Sequence, residues 1–386
     1  MQINNNKIVR LSKSCLSKIE ATAVERVILE DGYLGMGSEV DLFEKEISSF
    51  LGIERESVVC VNSGTAALHL AIESILPPDS EGSEIVLPSL TFVADFQAVL
   101  MANAVPIPCE INPDNLLIDL EDAQKRITEK TIAILPVHYA SYPGELEKIY
   151  EFAKKNGLRV IEDAAHAFGS YYKNKKIGSI GDVTCFSFDG IKNITSGEGG
   201  AIVTSDRQVL QRVKDARLLG IEGDSTKRFA GQRSWDFDVK YRGFRYHMSN
   251  IFAALGRAQL SRLNTEFSPK RKLLAGLYRE LLKPVKELKF LETDLSQIIP
   301  HIQPILILNG MRDSLKEYLL QNSIQTGIHY KPNHLLSLFG NYSVQLPTTE
   351  KIYEQILSLP LHPDLLQKDV EMICNTVIDF FTKYSD

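Results

Sequence analysis

One amine in the chain stands in a setting that could support covalent chemistry. The stretch FSFDGIKNITSGEGG (186–200) contains a single lysine, Lys192, with the hydroxyl of Ser187 five residues before it and glycines after it. Such an amine can form a Schiff base with a carbonyl, hold a phosphate as a point charge, or remain a solvated surface group. The stretch is not a Walker A loop, because that motif places its lysine after the second glycine and follows it with Ser or Thr. Partners elsewhere in the chain must decide between the three roles.

A second stretch, VNSGTAALH (61–69), could bind a phosphate. An apolar strand ends at Val61, and Ser63, Gly64 and Thr65 begin a helix-like segment. Free backbone N–H groups and the positive end of the helix dipole suit an anion at this place. Gly64 permits close approach, and Thr65 adds a hydroxyl donor. Helix capping alone explains the same residue types, so this stretch leaves both interpretations open.

Two further strand-like runs end in residues that suit a planar ring. In VIEDAAHAFG (160–169), Asp163 ends an apolar run, where an ionised carboxylate is costly unless a cation or a donor pairs with it. Asp163 could cap the next helix or hold a protonated ring nitrogen. His166 lies one helical turn later, where it can face the same place or serve a structural role. In LPSLTFVADF (87–96), Phe92 follows a strand and either packs in the core or offers a flat face to a ring.

Together these stretches fit one ligand, pyridoxal phosphate. That cofactor requires an amine for covalent attachment, a carboxylate for its ring nitrogen, a phosphate site and an aromatic or apolar contact for its ring. Lys192, Asp163 and Phe92 supply the first, second and fourth of these. Ser63–Thr65 together with Ser187 supply the phosphate site. The combination is far more specific than any one part. We predict no metal site and no NTP or NAD site.

The elements that must position these residues alternate between strand and helix over the first two-thirds of the chain. Strands that read as near-continuous apolar runs predict a mostly parallel sheet covered on both faces, with ligands at the carboxyl ends of the strands. Gly157 is predicted to cap the C-terminus of its helix. The predicted strands are 57–61, 84–88, 132–137, 158–163, 183–188 and 199–205, and the predicted helices are 64–76, 93–104 and 145–157.

The pattern changes after the last of these strands. Residues 222–247 are polar and predicted to be irregular. We place a domain boundary near residue 260, which gives a large cofactor-binding domain over 1–260 and a small C-terminal α/β domain over 261–386. The predicted elements that follow are helices at 248–263, 270–285, 312–322 and 366–382 and a strand at 302–308.

Composition limits the classes of partner. The chain has 386 residues, of which 44% are hydrophobic and 24% charged, with a net charge of −6. This acidity argues against nucleic-acid or anionic-membrane binding, and no apolar stretch approaches the ~18 residues of a membrane span. The N-terminus lacks the apolar region of a signal peptide. Five scattered cysteines without a CxxC pair indicate buried free thiols. We therefore expect a cytoplasmic protein.

With these residues in view, the chain resembles the DegT/DnrJ/StrS family of pyridoxal-phosphate-dependent nucleotide-sugar aminotransferases. The resemblance covers most of residues 10–370, with the motifs in family order. It implies the type I aminotransferase fold, which has a mostly parallel central sheet and a smaller C-terminal α/β domain. The matching motifs are GYLGMGSEVDLFEKEISSFLG, VNSGTAALHLAI, LPSLTFVA, IEDAAHAFGS, GDVTCFSFDGIKNITSGEGGAIVT, RYHMSNIFAALGRAQL and LSLPLHPDL.

The resemblance also implies a role for each site residue and a homodimer with active sites shared at the interface. Lys192 is implied to be the Schiff-base lysine, and Asp163 to pair with the ring nitrogen. Further implied roles are support of the cofactor's 3-hydroxyl by His166, phosphate binding by Gly64, Thr65 and Ser187, ring stacking by Phe92, and substrate contacts by His329 and Tyr330.

Two motifs depart from the family pattern. The family often has GYNYRM where this chain has GFRYHM (243–248), so Arg245 replaces the Asn that usually reaches the partner subunit's cofactor phosphate. Arginine can still bind a phosphate, and bidentately, either on the cofactor or on a substrate. The stretch VHYASYPG (137–144) stands where HLYG is common, which changes the expected shape of that loop but not the chemistry.

The implied activity is transfer of an amino group, with glutamate as the expected donor, to a 3-keto or 4-keto deoxysugar linked to a nucleotide. Cations in residues 225–245 could face the sugar's diphosphate or belong to a solvated loop that also holds the single tryptophan, Trp235. These cations are Lys227, Arg228, Arg233, Lys240, Arg242 and Arg245.

Three other functions stay open. The acceptor could be a cyclic ketone without a nucleotide. The protein could be a sugar dehydratase of the same family, although members with that activity carry histidine where Lys192 stands. It could also be a non-catalytic binding protein on the same fold, which would predict loss of Lys192 or Asp163.

Overall fold

A computed structural model gives the structure of the protein and describes residues 8–77, 81–232, 235–239, 241–342 and 344–384. The strands are β1 (Val58–Val61), β2 (Glu84–Pro88), β3 (Val105–Cys109), β4 (Thr131–Ile134), β5 (Arg159–Asp163), β6 (Tyr171–Tyr172), β7 (Lys175–Lys176), β8 (Val183–Ser187), β9 (Gly200–Thr204), β10 (Leu288–Phe290), β11 (Gln303–Ile307) and β12 (Ile356–Leu359). The helices are α1 (Lys18–Arg26), α2 (Ser38–Leu51), α3 (Gly64–Ile75), α4 (Val93–Met101), α5 (Leu120–Arg126), α6 (Leu146–Asn156), α7 (Arg207–Ala216), α8 (Asp224–Phe229), α9 (Asn250–Arg262), α10 (Ser268–Leu281), α11 (Arg312–Gln321), α12 (Pro347–Gln355) and α13 (Gln367–Lys383).

A seven-stranded sheet with strand order β1-β9-β8-β5-β4-β2-β3 forms the centre of the larger part. The neighbours β8, β5, β4, β2 and β3 pair in parallel. Only β9 runs against its neighbours β1 and β8, because the short connection over residues 188–199 returns the chain along β8 rather than crossing the sheet. The predicted mostly parallel sheet is therefore confirmed.

Apolar side chains cover both faces of this sheet, as its sequence pattern predicted. Along β1, Val58 and Cys60 pack in a cluster with Phe43 of α2, whereas Val59 and Val61 pack on the opposite face with helices α3, α4 and α7. All of these β1 side chains are almost fully buried. The two faces separate because successive side chains of a strand point in opposite directions.

Helix α6 ends where its sequence predicted. Gly157 has φ of 69°, in the left-handed region that favours glycine, and its N–H donates to the carbonyls of Ala153 and Lys154. Helix α8 lies inside residues 222–247, so the prediction that this whole segment is irregular was wrong. Its first turn carries Asp224, whose carboxylate accepts from Arg228 one turn later at 2.6 Å.

A smaller antiparallel sheet, with strand order β10-β11-β12, lies entirely after residue 260. Leucine, isoleucine and phenylalanine side chains of α10, α11 and α13 pack with its strands in a separate apolar cluster. The N-terminal residue Val9 pairs with Ile324, which attaches the start of the chain to this part. The boundary near residue 260 stays a prediction.

Two expectations from composition can be compared with the structure. The five cysteines are buried free thiols, as predicted. Within the described residues, none of the helices combines the length and apolar character needed to cross a membrane.

Candidate active site

A cavity of about 360 Å³ opens at the carboxyl-terminal edge of the large sheet. Its lining includes residues that directly follow or end β1, β2, β5 and β8, because parallel strands present these ends at one edge. The predicted site residues that line it are Ser63, Gly64, Thr65, Phe92, Asp163, His166, Ser187, Lys192, His329 and Tyr330. The structure thus brings together every predicted site residue except Arg245.

The N-terminus of α3 meets the end of β8 without room for a side chain at Gly64. A Cβ on Gly64 would lie 2.8 Å from Ser187 Cβ and 3.0 Å from Ser187 Oγ. Ser63 is the N-cap, and its Oγ accepts from the Ala66 N–H at 3.1 Å. The first-turn N–H groups of Gly64 and Thr65 have no carbonyl in a preceding turn, so they can receive an anion at the cavity wall. Capping and anion binding are therefore compatible here.

Lys192 lies in the connection between β8 and β9, half-buried at the cavity. Burial lowers the pKa of its amine, and the carboxylates of Asp163 and Asp189 offset only part of this effect. A lowered pKa increases the fraction of neutral amine, the form that attacks a carbonyl and accepts a proton.

Asn193, which sequence reasoning missed, fastens the loop that carries Lys192. Its side-chain N–H₂ is fully buried and donates to the carbonyls of His166, Phe168 and Ile299 at 3.1–3.2 Å. Because these acceptors belong to separate segments, the position of the lysine depends on the packing of the whole site. The sequence offers no signal for this role, since Asn in a loop is ordinary.

Asp163 ends β5 with its carboxylate buried at the bottom of the cavity. Its Oδ1 accepts from the Ala165 N–H at 2.9 Å, and its backbone N–H and carbonyl are held by Pro136 and His138. Burial raises the pKa of Asp163, while the Ala165 amide and the amine of Lys192 oppose this rise. A buried carboxylate in this setting is stabilised by a cation that enters the cavity.

His166 and Tyr330 form a hydrogen-bonded pair on one side of the cavity. His166 Nε2 lies 3.0 Å from the Tyr330 hydroxyl, and its Nδ1 has no hydrogen-bond partner among the described residues. Burial lowers the pKa of His166 well below its ordinary value, as does the nearby amine of Lys192, so the ring is neutral. The ring of His301, another residue missed from the sequence, lies 4.5 Å away between centroids.

Phe92 is 54% exposed, so the structure places it at the cavity mouth and not in the core. Its ring lies 5.6 Å from the ring of Tyr330 between centroids. His329 lines the same side, where its Nδ1 lies 2.8 Å from Ser358 Oγ and burial lowers its pKa to about 4. Residues from the C-terminal part of the chain therefore complete the cavity.

Arg245 does not line the cavity of its own chain. It is exposed, and it forms an isolated backbone bridge with Leu218. Its predicted contact with a phosphate in a partner subunit stays a prediction.

The basic segment around Arg245 is less available for a ligand than its charge count indicates. Arg228 is paired with Asp224, and Arg242 contacts both carboxylate oxygens of Glu73 at 2.9 and 3.0 Å. Trp235 is 84% exposed, which excludes core packing. Arg233 and Lys240 lie outside the described residues.

These residues fit pyridoxal phosphate. The missing Cβ at Gly64 lets the first amides of α3 lie next to the Ser187 hydroxyl, which gives several donors for a phosphate. The buried carboxylate of Asp163 suits a protonated ring nitrogen, and the unpartnered Nδ1 of His166 is a polar atom buried at the wall. Fold and site together define an aminotransferase that uses pyridoxal phosphate. More specifically, the chain belongs to the DegT/DnrJ/EryC1/StrS aminotransferase family, whose model matches residues 15–378.

Individual relatives agree with this membership. The chain is 33% identical to a dTDP-4-dehydro-2,3,6-trideoxy-D-glucose 4-aminotransferase of Saccharopolyspora spinosa, over 97% of this chain and 96% of the relative. It superposes on Helicobacter pylori PseC, an aminotransferase involved in the biosynthesis of pseudoaminic acid, with TM-score 0.90 and 29% identity, over 98% of this chain and 100% of that one. The PLP-form of Spr1654 from Streptococcus pneumoniae matches with TM-score 0.88 and 25% identity, over 98% and 99%. The protein is thus a pyridoxal-phosphate-dependent sugar aminotransferase.

Proposed function

We propose that the protein transfers an amino group from glutamate to the keto carbon of a nucleotide-linked deoxysugar. The observation that carries this proposal is that one cavity is lined by both the Lys192 amine and the buried carboxylate of Asp163, whose charge influences the amine. The Saccharopolyspora relative is named for a keto sugar bound to dTDP, which supports this class of acceptor.

Lys192 is the residue that moves protons in the proposed reaction. Its Nζ is the group that would hold the cofactor covalently. The same amine, when free, would accept the proton from the donor's α-carbon and return it to complete the transfer. Its lowered pKa favours this task near neutral pH, and a positioned acid–base group typically contributes ~10²–10⁴-fold to the rate.

The other predicted residues bind and orient the cofactor. When bound, pyridoxal phosphate supplies the electron sink and carries the nitrogen between the two half-reactions. Asp163 keeps a proton on the ring nitrogen through a charge-assisted hydrogen bond. Four residues bind the phosphate, His166 supports the 3-hydroxyl, and Phe92 covers a ring face. The four phosphate-binding residues are Ser63, Gly64, Thr65 and Ser187.

The substrate enters past Phe92 and meets His329 and Tyr330 at the mouth of the cavity. We propose that Arg245 of a second copy of the chain adds a phosphate contact, so that the working enzyme is a homodimer with shared sites. An exposed apolar face near the N-terminus supports association, because such faces commonly mark interfaces. Its large side chains, each more than half exposed, are Leu16, Ile19, Ile28 and Leu29. Light scattering that shows only a monomer at assay concentration would refute the dimer.

The five free thiols suit a reducing compartment, and we propose that the enzyme works in the cytoplasm. Fractionation of cells that produce the protein at native level tests this location. Recovery with an extracytoplasmic fraction would contradict it.

The function is tested by amino transfer from glutamate to a panel of 3-keto and 4-keto nucleotide sugars, with products detected by mass. We expect an aminated sugar from at least one acceptor with the wild type and none with Lys192→Ala. Normal multiple turnover by Lys192→Ala would overturn the assignment of that lysine. Product only from a cyclic ketone without a nucleotide, or a deoxygenated sugar in place of an aminated one, would replace the proposed function with one of its two enzymatic alternatives.

A further inference from the structure

A second buried carboxylate lies beside Asp163 and has no role in the scheme above. Asp95, in the first turn of α4, is fully buried. Its Oδ2 accepts from the hydroxyl of Thr91, while its Oδ1 has no hydrogen-bond donor among the described residues. Thr91, which donates to Asp95, and Ala94, the residue before it, line the same cavity as Asp163. The carboxyl groups of Asp95 and Asp163 interact across this short separation.

Two carboxylates in contact at a buried site share a proton, because like charges cannot both be ionised there. Three positive or donor groups favour ionisation of Asp163: the Ala165 amide, Lys192 and His138. Asp95 has fewer such contacts, and burial together with the charge of Asp163 raises its pKa well above the ordinary value. The shared proton therefore resides on Asp95, which makes its carboxyl group a hydrogen-bond donor.

Other ionisable groups also interact with this pair. They are Lys192 and Asp189 in the β8–β9 connection, His138 after β4, Cys185 in β8 and Tyr330 in the C-terminal part. Apart from Lys192 and His138, these groups are acids, so they do not favour ionisation of Asp95 or Asp163.

We infer that Asp95 is a positioning residue that acts through Asp163. Its protonated carboxyl group donates a hydrogen bond to the Asp163 carboxylate. This bond favours the state in which the cofactor's ring nitrogen, and not Asp163, carries the proton between them. A carboxylate that accepts an additional hydrogen bond is a weaker base. Asp163 therefore leaves the proton on the nitrogen, where the positive charge is needed, instead of taking it. The inference rests on the proposed role of Asp163, and it does not depend on the identity of the sugar.

The test compares Asp95→Ala with Asp95→Asn in the cofactor-loaded protein without any sugar. A positive charge on the cofactor ring disfavours a second positive charge on the nearby Lys192 nitrogen. Without the Asp95 donor, Asp163 is a stronger base and takes the proton from the ring. The ring then loses its charge, so the Lys192 nitrogen should keep its own proton to higher pH. We expect the pH midpoint of the cofactor's visible absorption change to rise by about one unit, with roughly tenfold weaker cofactor binding, since a hydrogen bond to a charged group is involved. Asp95→Asn keeps a donor of the same shape and should stay near the wild type.

An unchanged midpoint in Asp95→Ala would overturn the inference, as would an Asp95→Asn shift equal to that of Asp95→Ala. Ser74→Ala, which removes a buried hydroxyl of α3 that donates to the Leu70 carbonyl, is the control for general destabilisation and should leave the midpoint unchanged.

Infrared spectroscopy gives a second test if Asp95→Ala fails to fold. Wild-type protein at neutral pH should show the carbonyl band of a protonated carboxyl group, and Asp95→Asn should lack it. Absence of the band from the wild type would refute the shared proton. Because neither measurement requires turnover, a failure of the sugar assay and a failure of this inference remain distinguishable.

Discussion

Substitution of Gly64 by alanine tests how closely helix α3 meets strand β8 at the phosphate site. Helix propensity alone favours alanine over glycine by up to ~1 kcal/mol. In the structure, however, the added Cβ would lie 2.8 Å from Ser187 Cβ and 3.0 Å from its Oγ. Both atoms belong to a short side chain at the end of a buried strand, so the backbone must move. Overpacking of this kind costs about 1–3 kcal/mol, and we expect a net loss of about 1–2 kcal/mol in the free energy of unfolding.

The same displacement should weaken cofactor binding, because Ser187 and the first amides of α3 form the proposed phosphate site. Loss of one good hydrogen bond to a charged group corresponds to about tenfold or more in affinity. Urea unfolding of the cofactor-free protein measures the first effect, and absorbance titration with pyridoxal phosphate measures the second. Gly276→Ala is the matched control: nothing lies within 4 Å of its Cβ in helix α10, so it should stabilise by ~0.5–1 kcal/mol and leave affinity unchanged.

A double variant separates packing from binding. In a Ser187→Gly background the obstructing Cβ is gone, so Gly64→Ala should cost little further stability there. Cofactor affinity should remain weak in both members of that pair, because the Ser187 hydroxyl is missing. If Gly64→Ala alone left stability and affinity at wild-type values, or cost as much in the Ser187→Gly background, the close contact would not be the reason for glycine.

Three further predictions concern buried groups. Arg217→Met should lower the free energy of unfolding by about 3–5 kcal/mol in urea titrations. The reason is that Glu44, which contacts Arg217 Nη1 at 2.5 Å, would remain as a buried charge without its partner. A change below ~1 kcal/mol would contradict this prediction. Tyr330→Phe removes the hydroxyl 3.0 Å from His166 Nε2 and should weaken cofactor binding about two- to tenfold by absorbance titration, whereas unchanged binding would exclude a role for this pair. Burial lowers the pKa of three histidines to about 4: His247, His329 and His362. Each of these histidines takes up a proton on unfolding below about pH 6.5, so the free energy of unfolding should fall as the pH drops from about 6.5 to 4. His362→Gln should reduce the slope of that free energy against pH by up to one proton. Urea unfolding midpoints measured across this pH range test the prediction, and an unchanged slope would refute it.

The sequence predicted the sheet and the cavity well because the signals are local. Asp163 and Ser187 end apolar runs, and Ser63 begins a helical pattern. Because parallel strands end at the same edge of a sheet, these positions were enough to predict that the three residues lie close together. The backbone direction of β9 was not predicted, since an apolar run reads the same in either direction.

Residues that act through distant contacts escaped prediction. Asp95 looks like an ordinary acidic residue in a first helical turn, where the helix dipole favours it. Asp163 comes much later in the chain, so only the folded structure reveals that the two carboxyl groups interact. In the basic segment around Arg245, the sequence indicated more free positive charge than the structure has. A count of cations could not reveal that Arg228 is paired with Asp224 and Arg242 with Glu73.

The hydrogen bonds of Asn193 affect the order in which the site can be completed during synthesis. Its amide bridges carbonyls at His166 and Phe168 to one at Ile299, which a ribosome adds long after the lysine next to Asn193. A nascent chain that has not reached Ile299 lacks that anchor, and it also lacks the wall formed by Tyr330. The loop that carries Lys192 therefore gains the last of these three anchors only after the C-terminal part has been synthesised. The cavity is thus completed last by residues that are made last, although its centre belongs to the first two-thirds of the chain.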